Sequence, residues 1–237
     1  MEYNKWSKED MELLAIAYPK FGYRVTDLFP ERTKNAVLRK ADRMRLKIDR
    51  LGREQYNEDK IGYLDIETSH LKANFGICFS WCLKEQGNDN IEYAVVTKEE
   101  MRDGTLDKRV IQECIDAIEK YTVIYTYYGT RFDVPFLRTR AMMHNLDFPP
   151  ASEILHRDMY YQVRRLMQLH RNRLEVACGV LGIEGKTHIN WQYWVMAMTG
   201  NEEALAYILE HNKQDVIILE KLHERLAPWE GRGRKYL

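Results

Sequence analysis

The alternation of apolar and polar residues divides the chain into a short helical head and a longer body in which helices and strands alternate. In residues 7–47, apolar positions recur at helical spacing, which predicts two short helices separated by a shorter helix or turn. Three apolar runs then predict adjacent strands over 61–68, 75–83 and 91–97. The later runs alternate between helix and strand, with a further strand predicted over 122–129, so the body is predicted to be an α/β domain with a mixed sheet.

This pattern predicts a two-domain chain. We place a three-helix domain at 1–50, a polar linker at 51–60, the α/β domain at 61–228 and a basic tail at 229–237. The chain as a whole has no net charge, but residues 1–53 hold 13 Lys and Arg against 8 Asp and Glu. The head therefore carries a net charge of +5 and the rest −5, which suggests modules with different roles.

Composition predicts a cytoplasmic protein with no membrane span. No segment approaches the roughly 18 consecutive apolar residues that a transmembrane helix needs, and the polar N-terminus does not resemble a secretory signal. Cys78 and Cys82 have the spacing of metal ligands, but no second Cys or His pair completes a zinc site. We expect the four cysteines to be reduced core residues.

Two acids interrupt the first strand of the body, in the stretch "YLDIETS". Asp65 and Glu67 are two residues apart, so on a strand they face the same side. Burying two carboxylates side by side is costly unless a cation lies between them. A divalent metal ion bound between the two carboxylates removes that cost. In the alternative interpretation, the strand end is exposed, both acids are solvated, and no metal is needed. The short string alone leaves both interpretations open.

Two further acids favour the metal site. Asp133 follows a predicted strand and begins a helix, between the apolar residues Phe132 and Pro135. Helix capping is its ordinary alternative role. Asp215 lies on the last long helix, and His211 precedes it by four residues, so the two share a helix face. An ordinary contact between helix neighbours is the alternative for this pair.

The ordered set Asp-x-Glu, Phe-Asp-x-Pro-Phe-Leu and a late helical Asp resembles the DEDD, or DnaQ-like, 3′–5′ exonuclease superfamily on a ribonuclease H-like fold. The resemblance covers about residues 61–226. The stretch "YGTRFDVPFLRTRA" is most similar to family B DNA polymerase proofreading domains and related bacterial ribonuclease H-like nucleases, and residues 173–188 resemble the segment before their last motif. It implies hydrolysis with two Mg²⁺ or Mn²⁺ ions held by Asp65, Glu67, Asp133 and Asp215, with His211 positioning water.

The last motif departs from the family pattern. The family usually carries Tyr-x-x-x-Asp or His-x-x-x-x-Asp, but here His211 occupies the Tyr position and Glu210 lies five residues before Asp215. A histidine can orient or deprotonate water near neutral pH. His211 therefore either substitutes for the usual residue or marks an inactive site.

The head resembles Myb/SANT-like helix-turn-helix modules over about residues 4–48. This resemblance implies nucleic-acid binding through the third helix, although some such modules bind proteins, and a solvated helix docked on the body is the alternative. The predicted contacts in the head are Arg32, Lys34, Arg39, Lys40 and Arg43.

An exonuclease must also hold the frayed end of its nucleic-acid substrate, which requires contacts from the body of the protein. Tyr128 and Phe132 are predicted to stack on bases, and Lys186 to reach a phosphate. Core packing and an ordinary surface position are their alternatives. Asp158 either supports the site or caps a helix.

Three functions remain open at this stage. The first is a metal-dependent 3′–5′ exonuclease, acting on DNA rather than RNA because of the head. A polymerase or other replication protein is a candidate partner, and the two-part build would suit a phage protein. The second is a non-catalytic nucleic-acid-binding protein with a decayed nuclease fold, and the third is an RNA-processing nuclease.

Overall fold

The computed structural model divides into two compact units, Met1–Asp59 and Lys60–Leu237. Except for the side chains of 22–24, the residues that the structure describes are 6–46, 60–149, 154–185 and 190–229. The predicted linker, apart from Lys60, lies outside the described residues. The same holds for the predicted tail apart from Trp229.

The head contains two α-helices with a 3₁₀-helix between them. Their bounds are α1 Lys8–Phe21, the 3₁₀-helix Gly22–Leu28 and α2 Lys34–Arg43. The Asp10 backbone N–H donates to Ser7 Oγ at 3.0 Å, so the Ser7 side chain caps the start of α1. The helices enclose a small core formed by Leu14, Ala17, Val25, Phe29, Val37 and Ala41.

The body contains a five-stranded sheet with strand order β3-β2-β1-β4-β5. β1 pairs antiparallel with β2, and β2 antiparallel with β3, whereas β1–β4 and β4–β5 are parallel. The mixed sheet predicted from the sequence is therefore confirmed. The strands are β1 Ile61–Thr68, β2 Cys78–Glu85, β3 Ile91–Val95, β4 Val123–Thr126 and β5 Leu155–Asp158.

Helices cover both faces of this sheet. Leu64 and Ile66 of β1 belong to one core cluster, which includes α4 and α5, and Tyr63 belongs to another, which includes α6, α7 and much of α9. Alternate strand residues point to opposite faces, so the clusters lie on opposite sides of the sheet. The helices are α3 Lys98–Asp103, α4 Lys108–Ile118, α5 Asp133–Met143, α6 Met159–Leu166, α7 Leu174–Val180, α8 Trp191–Ala197 and α9 Glu202–Leu226.

The second strand begins later than its apolar run predicts. The sequence predicts a strand from residue 75, but β2 begins at Cys78 because residues 69–77 form a closed loop. The Ser69 N–H donates to the Ile77 carbonyl at 3.0 Å. A Cβ added to Gly76 would lie 2.8 Å from His70 Cβ, so the loop packs too closely for a larger residue.

Two expectations from composition can be compared with the structure. All four cysteines are buried and unbonded to one another, as expected for reduced core residues. Among the described residues, no helix combines the length and the apolar character that crossing a membrane requires.

Candidate active site

Strand β1 presents Asp65 and Glu67 to helix α9. The Asn212 side-chain N–H donates to Asp65 Oδ2 at 2.8 Å. His211 Nε2 lies 3.7 Å from Glu67 Oε1. The two acids therefore share one face of the strand, as their spacing predicts, and α9 lies across that face.

A three-residue cluster forms where the far end of β1 meets α9. His211 Nε2 lies 3.8 Å from Asp215 Oδ2, and ligand atoms of Glu67, His211 and Asp215 all fall within 4.8 Å of one another. His211 is only 3% exposed. Carboxylate oxygens with an imidazole nitrogen form a donor set that suits a divalent transition metal or, through the oxygens, Mg²⁺.

Asp133 brings a further acid to the same strand. It begins α5 and is 3% exposed. Its carboxylate accepts hydrogen bonds from its own backbone N–H and from that of Ile66, which lies between Asp65 and Glu67. β4 pairs only with the first three residues of β1, so the Ile66 N–H lies beyond that pairing. Burial, above all, raises the pKa of Asp133 to about 7.

Asp158 fixes the loop that precedes Asp133. Its Oδ1 accepts from the Tyr128 N–H at 2.8 Å and from the Tyr160 N–H at 3.0 Å. Its Oδ2 accepts from the Thr130 N–H at 2.9 Å. Asp158 therefore caps α6, which was one of the two roles left open by the sequence, and it also holds the β4–α5 loop. Its support of a catalytic site stays a prediction.

The same loop explains why the fourth strand is shorter than predicted. The sequence predicts a strand to residue 129, whereas β4 ends at Thr126. Tyr128 has φ +68°, which is incompatible with a continuing strand. A Cβ on Gly129 would lie 2.1 Å from Thr126 Oγ1, so this turn requires glycine.

The aromatic residues predicted to contact nucleic acid differ in exposure. Tyr128 is 45% exposed, whereas Phe132 is half-buried against the core. Trp194 packs edge-on against His211, with ring centroids 5.9 Å apart. Lys186 lies outside the described residues. The roles of these residues in binding stay predictions.

The basic residues of the head are not equivalent. The Arg32 guanidinium donates to Asp10 Oδ2 at 2.8 Å and lies 4.2 Å from the centroid of the Trp6 ring, so it also ties the head together. The nucleic-acid role of all five residues stays a prediction. Arg39 and Arg43 are exposed, whereas Arg32, Lys34 and Lys40 are half-buried.

Sequence reasoning missed Asn212, although its position carried a signal. It lies on α9 in register with Ile208, Asp215 and Leu219, and all four are buried. An asparagine on the apolar side of a helix needs a hydrogen-bond partner. Its partner Asp65 lies 147 residues away in the chain, so helix periodicity alone could not identify it.

Comparisons with known proteins identify the family. A curated DNA polymerase from Methanocaldococcus jannaschii is 30% identical over 167 residues, which is 62% of this chain and only 9% of that polymerase. The family B DNA polymerase from the hyperthermophilic archaeon Pyrobaculum calidifontis shares the fold, with a TM-score of 0.60 at 18% identity over 73% of this chain and 25% of that one. The family model RNase_H_2, described as RNase_H superfamily, matches residues 62–227. The chain therefore belongs to the RNase H superfamily, and this membership supports a nuclease-type hydrolase.

Proposed function

We propose that the protein is a 3′–5′ exonuclease that hydrolyses phosphodiester bonds of nucleic acid, DNA rather than RNA, with two Mg²⁺ or Mn²⁺ ions. The observation that carries the proposal is a cluster of two acids and a histidine between β1 and α9, with a further acid from α5 hydrogen-bonded to the backbone of β1. Ligand atoms of Glu67, His211 and Asp215 lie within 4.8 Å of one another. The Asp133 carboxylate accepts a hydrogen bond from the Ile66 N–H of β1.

The donor set fits two hard divalent cations. The acids proposed as ligands are Asp65, Glu67, Asp133 and Asp215, and carboxylate oxygens are the ligands that Mg²⁺ prefers. Gathering these groups at the end of one strand is costly without positive charge. When bound, two such ions stabilise the attacking and leaving oxygens of an in-line displacement at phosphorus.

The protein's own groups would orient and deprotonate the attacking water. His211 lies between Glu67 and Asp215, and a neutral imidazole accepts a proton from water. Trp194 packs against the histidine ring and limits its rotation. Asn212 donates to one oxygen of Asp65 and thereby fixes the orientation of that carboxylate.

The position of His211 favours catalysis over a decayed site. A histidine that had lost its role would not need to face two carboxylates while only 3% exposed. Its contacts with both acids support a role in orienting the attacking water. The unusual last motif is thus proposed to be a substitution that retains activity.

The remaining parts of the chain have proposed roles in targeting. The domain at 1–50 would bind nucleic acid as a helix-turn-helix module, with Arg39 and Arg43 as its exposed contacts, and the domain at 61–228 would cleave. The chain spans only 9% of the Methanocaldococcus jannaschii DNA polymerase. A polymerase or another replication protein is a proposed partner.

The test uses 5′-labelled single-stranded DNA and a matched RNA, each incubated with the protein in Mg²⁺, in Mn²⁺ and in EDTA. Asp65→Ala is the site variant. Asp89→Ala is the matched control, because Asp89 is an exposed acid in the β2–β3 turn.

We expect a ladder that shortens from the 3′ end, requires metal, disappears in Asp65→Ala and persists in Asp89→Ala. Faster shortening of the RNA would replace DNA with RNA as the substrate. No cleavage in either metal, with nucleic acid still bound, would overturn the nuclease proposal in favour of a binding protein.

A further inference from the structure

A second surface combines exposed aromatic rings with arginines beside the loop that leads to Asp133. Tyr128 on this loop is 45% exposed, and Tyr161 on α6 is 40% exposed. The Tyr160 ring lies between them, with centroids 4.9 Å from Tyr128 and 5.2 Å from Tyr161. We call this surface the tyrosine–arginine face and define it as Tyr128, Arg131, Tyr160, Tyr161, Arg164 and Arg165.

Asp158 assembles the face from two separate elements. It accepts backbone hydrogen bonds from Tyr128 and Thr130 on the loop and from Tyr160 on α6. The loop and the helix are therefore held in one arrangement by a single buried carboxylate. A surface whose parts are fixed in this way needs little ordering when a ligand binds.

The backbone turns Tyr128 away from the core. Its φ of +68° is uncommon for a residue with a side chain. The neighbouring Tyr127 takes the inward position, and its hydroxyl donates to the Asn172 carbonyl at 2.8 Å. The conformation of the turn therefore accounts for the exposure of the Tyr128 ring.

The charge of this region is opposite to that of the body. Residues 54–237 carry a net charge of −5, yet residues 159–174 contain no Asp or Glu and four arginines. Arg164 and Arg165 are exposed on α6, one turn after the two tyrosines, and Arg131 is exposed on the loop. Arg131 Nε lies 3.5 Å from the Tyr161 hydroxyl, so a positive charge lies beside an aromatic ring on this face.

We propose that the tyrosine–arginine face binds single-stranded nucleic acid beside the cleavage site, with the tyrosine rings stacking on bases and the arginines contacting phosphates. Aromatic platforms with basic side chains are typical of single-strand binding, because unpaired bases expose their ring faces and paired bases do not. The inference rests on the proposed nuclease function for its substrate, but binding can be measured without cleavage.

The face is continuous with the proposed active site. Tyr128 lies five residues before Asp133, and the Val134 N–H donates to the Gly129 carbonyl at 3.0 Å, so the loop leads directly into α5. A strand lying on the tyrosines would therefore run towards the acids of β1 and α9.

The test measures fluorescence anisotropy of the full-length protein in EDTA, where a metal-dependent nuclease does not cleave. The probes are labelled oligothymidylate and oligouridylate of about 15 nucleotides and a DNA duplex of the same length. The face variant is Tyr128→Ala/Tyr161→Ala, and Tyr128→Phe/Tyr161→Phe keeps the rings. Tyr93→Ala is the matched control, since Tyr93 is 49% exposed on edge strand β3, at the opposite side of the sheet from β5.

Each variant is also made with Arg39→Ala/Arg43→Ala, so that binding by the head does not conceal a loss at the face. We expect the alanine pair to weaken single-strand binding at least about tenfold, while the phenylalanine pair and Tyr93→Ala bind like the parent protein. Arg131→Gln/Arg164→Gln should reduce the slope of log K against log salt by about 1.4, because each phosphate contact to a single strand contributes about 0.7.

Unchanged affinity of the alanine pair in both backgrounds would overturn the inference, as would an equal loss in Tyr93→Ala. If the alanine pair alters the thermal unfolding of the protein, the salt slope of the arginine pair decides in its place.

The failure of this inference can be distinguished from the failure of the proposed function. If the protein does not cleave but the face variants lose single-strand binding, the tyrosine–arginine face is supported and the nuclease proposal is overturned. Cleavage with no effect of the face variants on binding would overturn the face alone. Comparing the affinities for oligothymidylate and oligouridylate shows whether the face binds DNA or RNA more tightly.

Discussion

The two ends of the contact between β1 and α9 use polar residues in opposite ways. At the end where β1 begins, the Tyr63 hydroxyl lies 2.7 Å from His223 Nδ1. Nearby, Lys84 of β2 forms an ion pair with Glu220 of α9, and Glu220 also accepts from the Gly87 N–H at 2.7 Å. Each of these polar groups completes the hydrogen bonding of another.

At the end where β1 stops, the same strand and helix bring acids together. Glu67 and Asp215 converge on His211, and Asp133 reaches the strand at Ile66. Like charges so close to one another oppose folding unless a cation joins them. The first end therefore favours stability, whereas we propose that the second, the ligand-binding end, holds metal ions.

A second pair of acids follows the same rule. Asp107 is fully buried, and its carboxylate accepts from Arg140 Nε at 2.9 Å and from the Cys78 N–H at 2.8 Å. Asp133 lies on the same helix as Arg140 but receives only backbone N–H groups among its hydrogen bonds, and burial raises its pKa. Asp107 is therefore a structural acid paired with arginine, whereas for Asp133 we propose that a metal ion offsets the charge of the carboxylate.

The largest effect is expected from removing an acid at the ligand-binding end. Asp215→Asn keeps the shape of the side chain but removes its charge. We expect metal-dependent cleavage to fall by about 10⁴-fold, the scale on which members of a cooperating catalytic set act. The measurement is the cleavage rate of Asp215→Asn beside that of the control Glu220→Gln. An equal fall in the cleavage rate of Glu220→Gln would contradict the distinction between the two ends.

The sequence predicted the acids of the proposed site but not the contacts that hold them and the neighbouring loop in place. The acids of the ligand-binding end were predictable because alternation put Asp65 and Glu67 on one face of a strand, and helical spacing put His211 and Asp215 on one face of α9. The contacts of Asn212 and Asp158 join elements that are distant in the chain. No local periodicity encodes such contacts, so they required the fold.

The next effect should appear at the stable end. Lys84→Met leaves Glu220 as a buried charge without its ion-pair partner, and the pair's side chains are only 7% and 10% exposed. We expect the free energy of unfolding to fall by about 3–5 kcal/mol, with cleavage per folded molecule unchanged.

Urea denaturation measures this loss. The double variant Lys84→Met/Glu220→Leu is the control, because replacing both partners removes the lone charge and should restore most of the stability. If the double variant is as unstable as the single one, packing rather than charge explains the effect.

The smallest effect is a pH dependence from His223. Burial lowers the pKa of His223 below its ordinary 6.5, so the folded state favours the neutral ring. Its contribution to stability is fully present above pH 6.5 and is lost as the pH falls from 6.5 towards the folded-state pKa. Unfolding measured across this window should show a smaller decline in His223→Gln, which keeps an acceptor for Tyr63. Some decline should persist, because burial also lowers the pKa of His156.

The most direct test of the account is the binding of Mn²⁺ by isothermal titration calorimetry, without nucleic acid. The wild-type protein is predicted to bind two ions per chain, and Asp215→Asn to lose at least one of them. Lys84→Met/Glu220→Leu is predicted to bind like wild type. If wild type and Asp215→Asn take up Mn²⁺ equally, the acids between β1, α5 and α9 are not a metal site, and the contrast between the two ends would have no functional meaning.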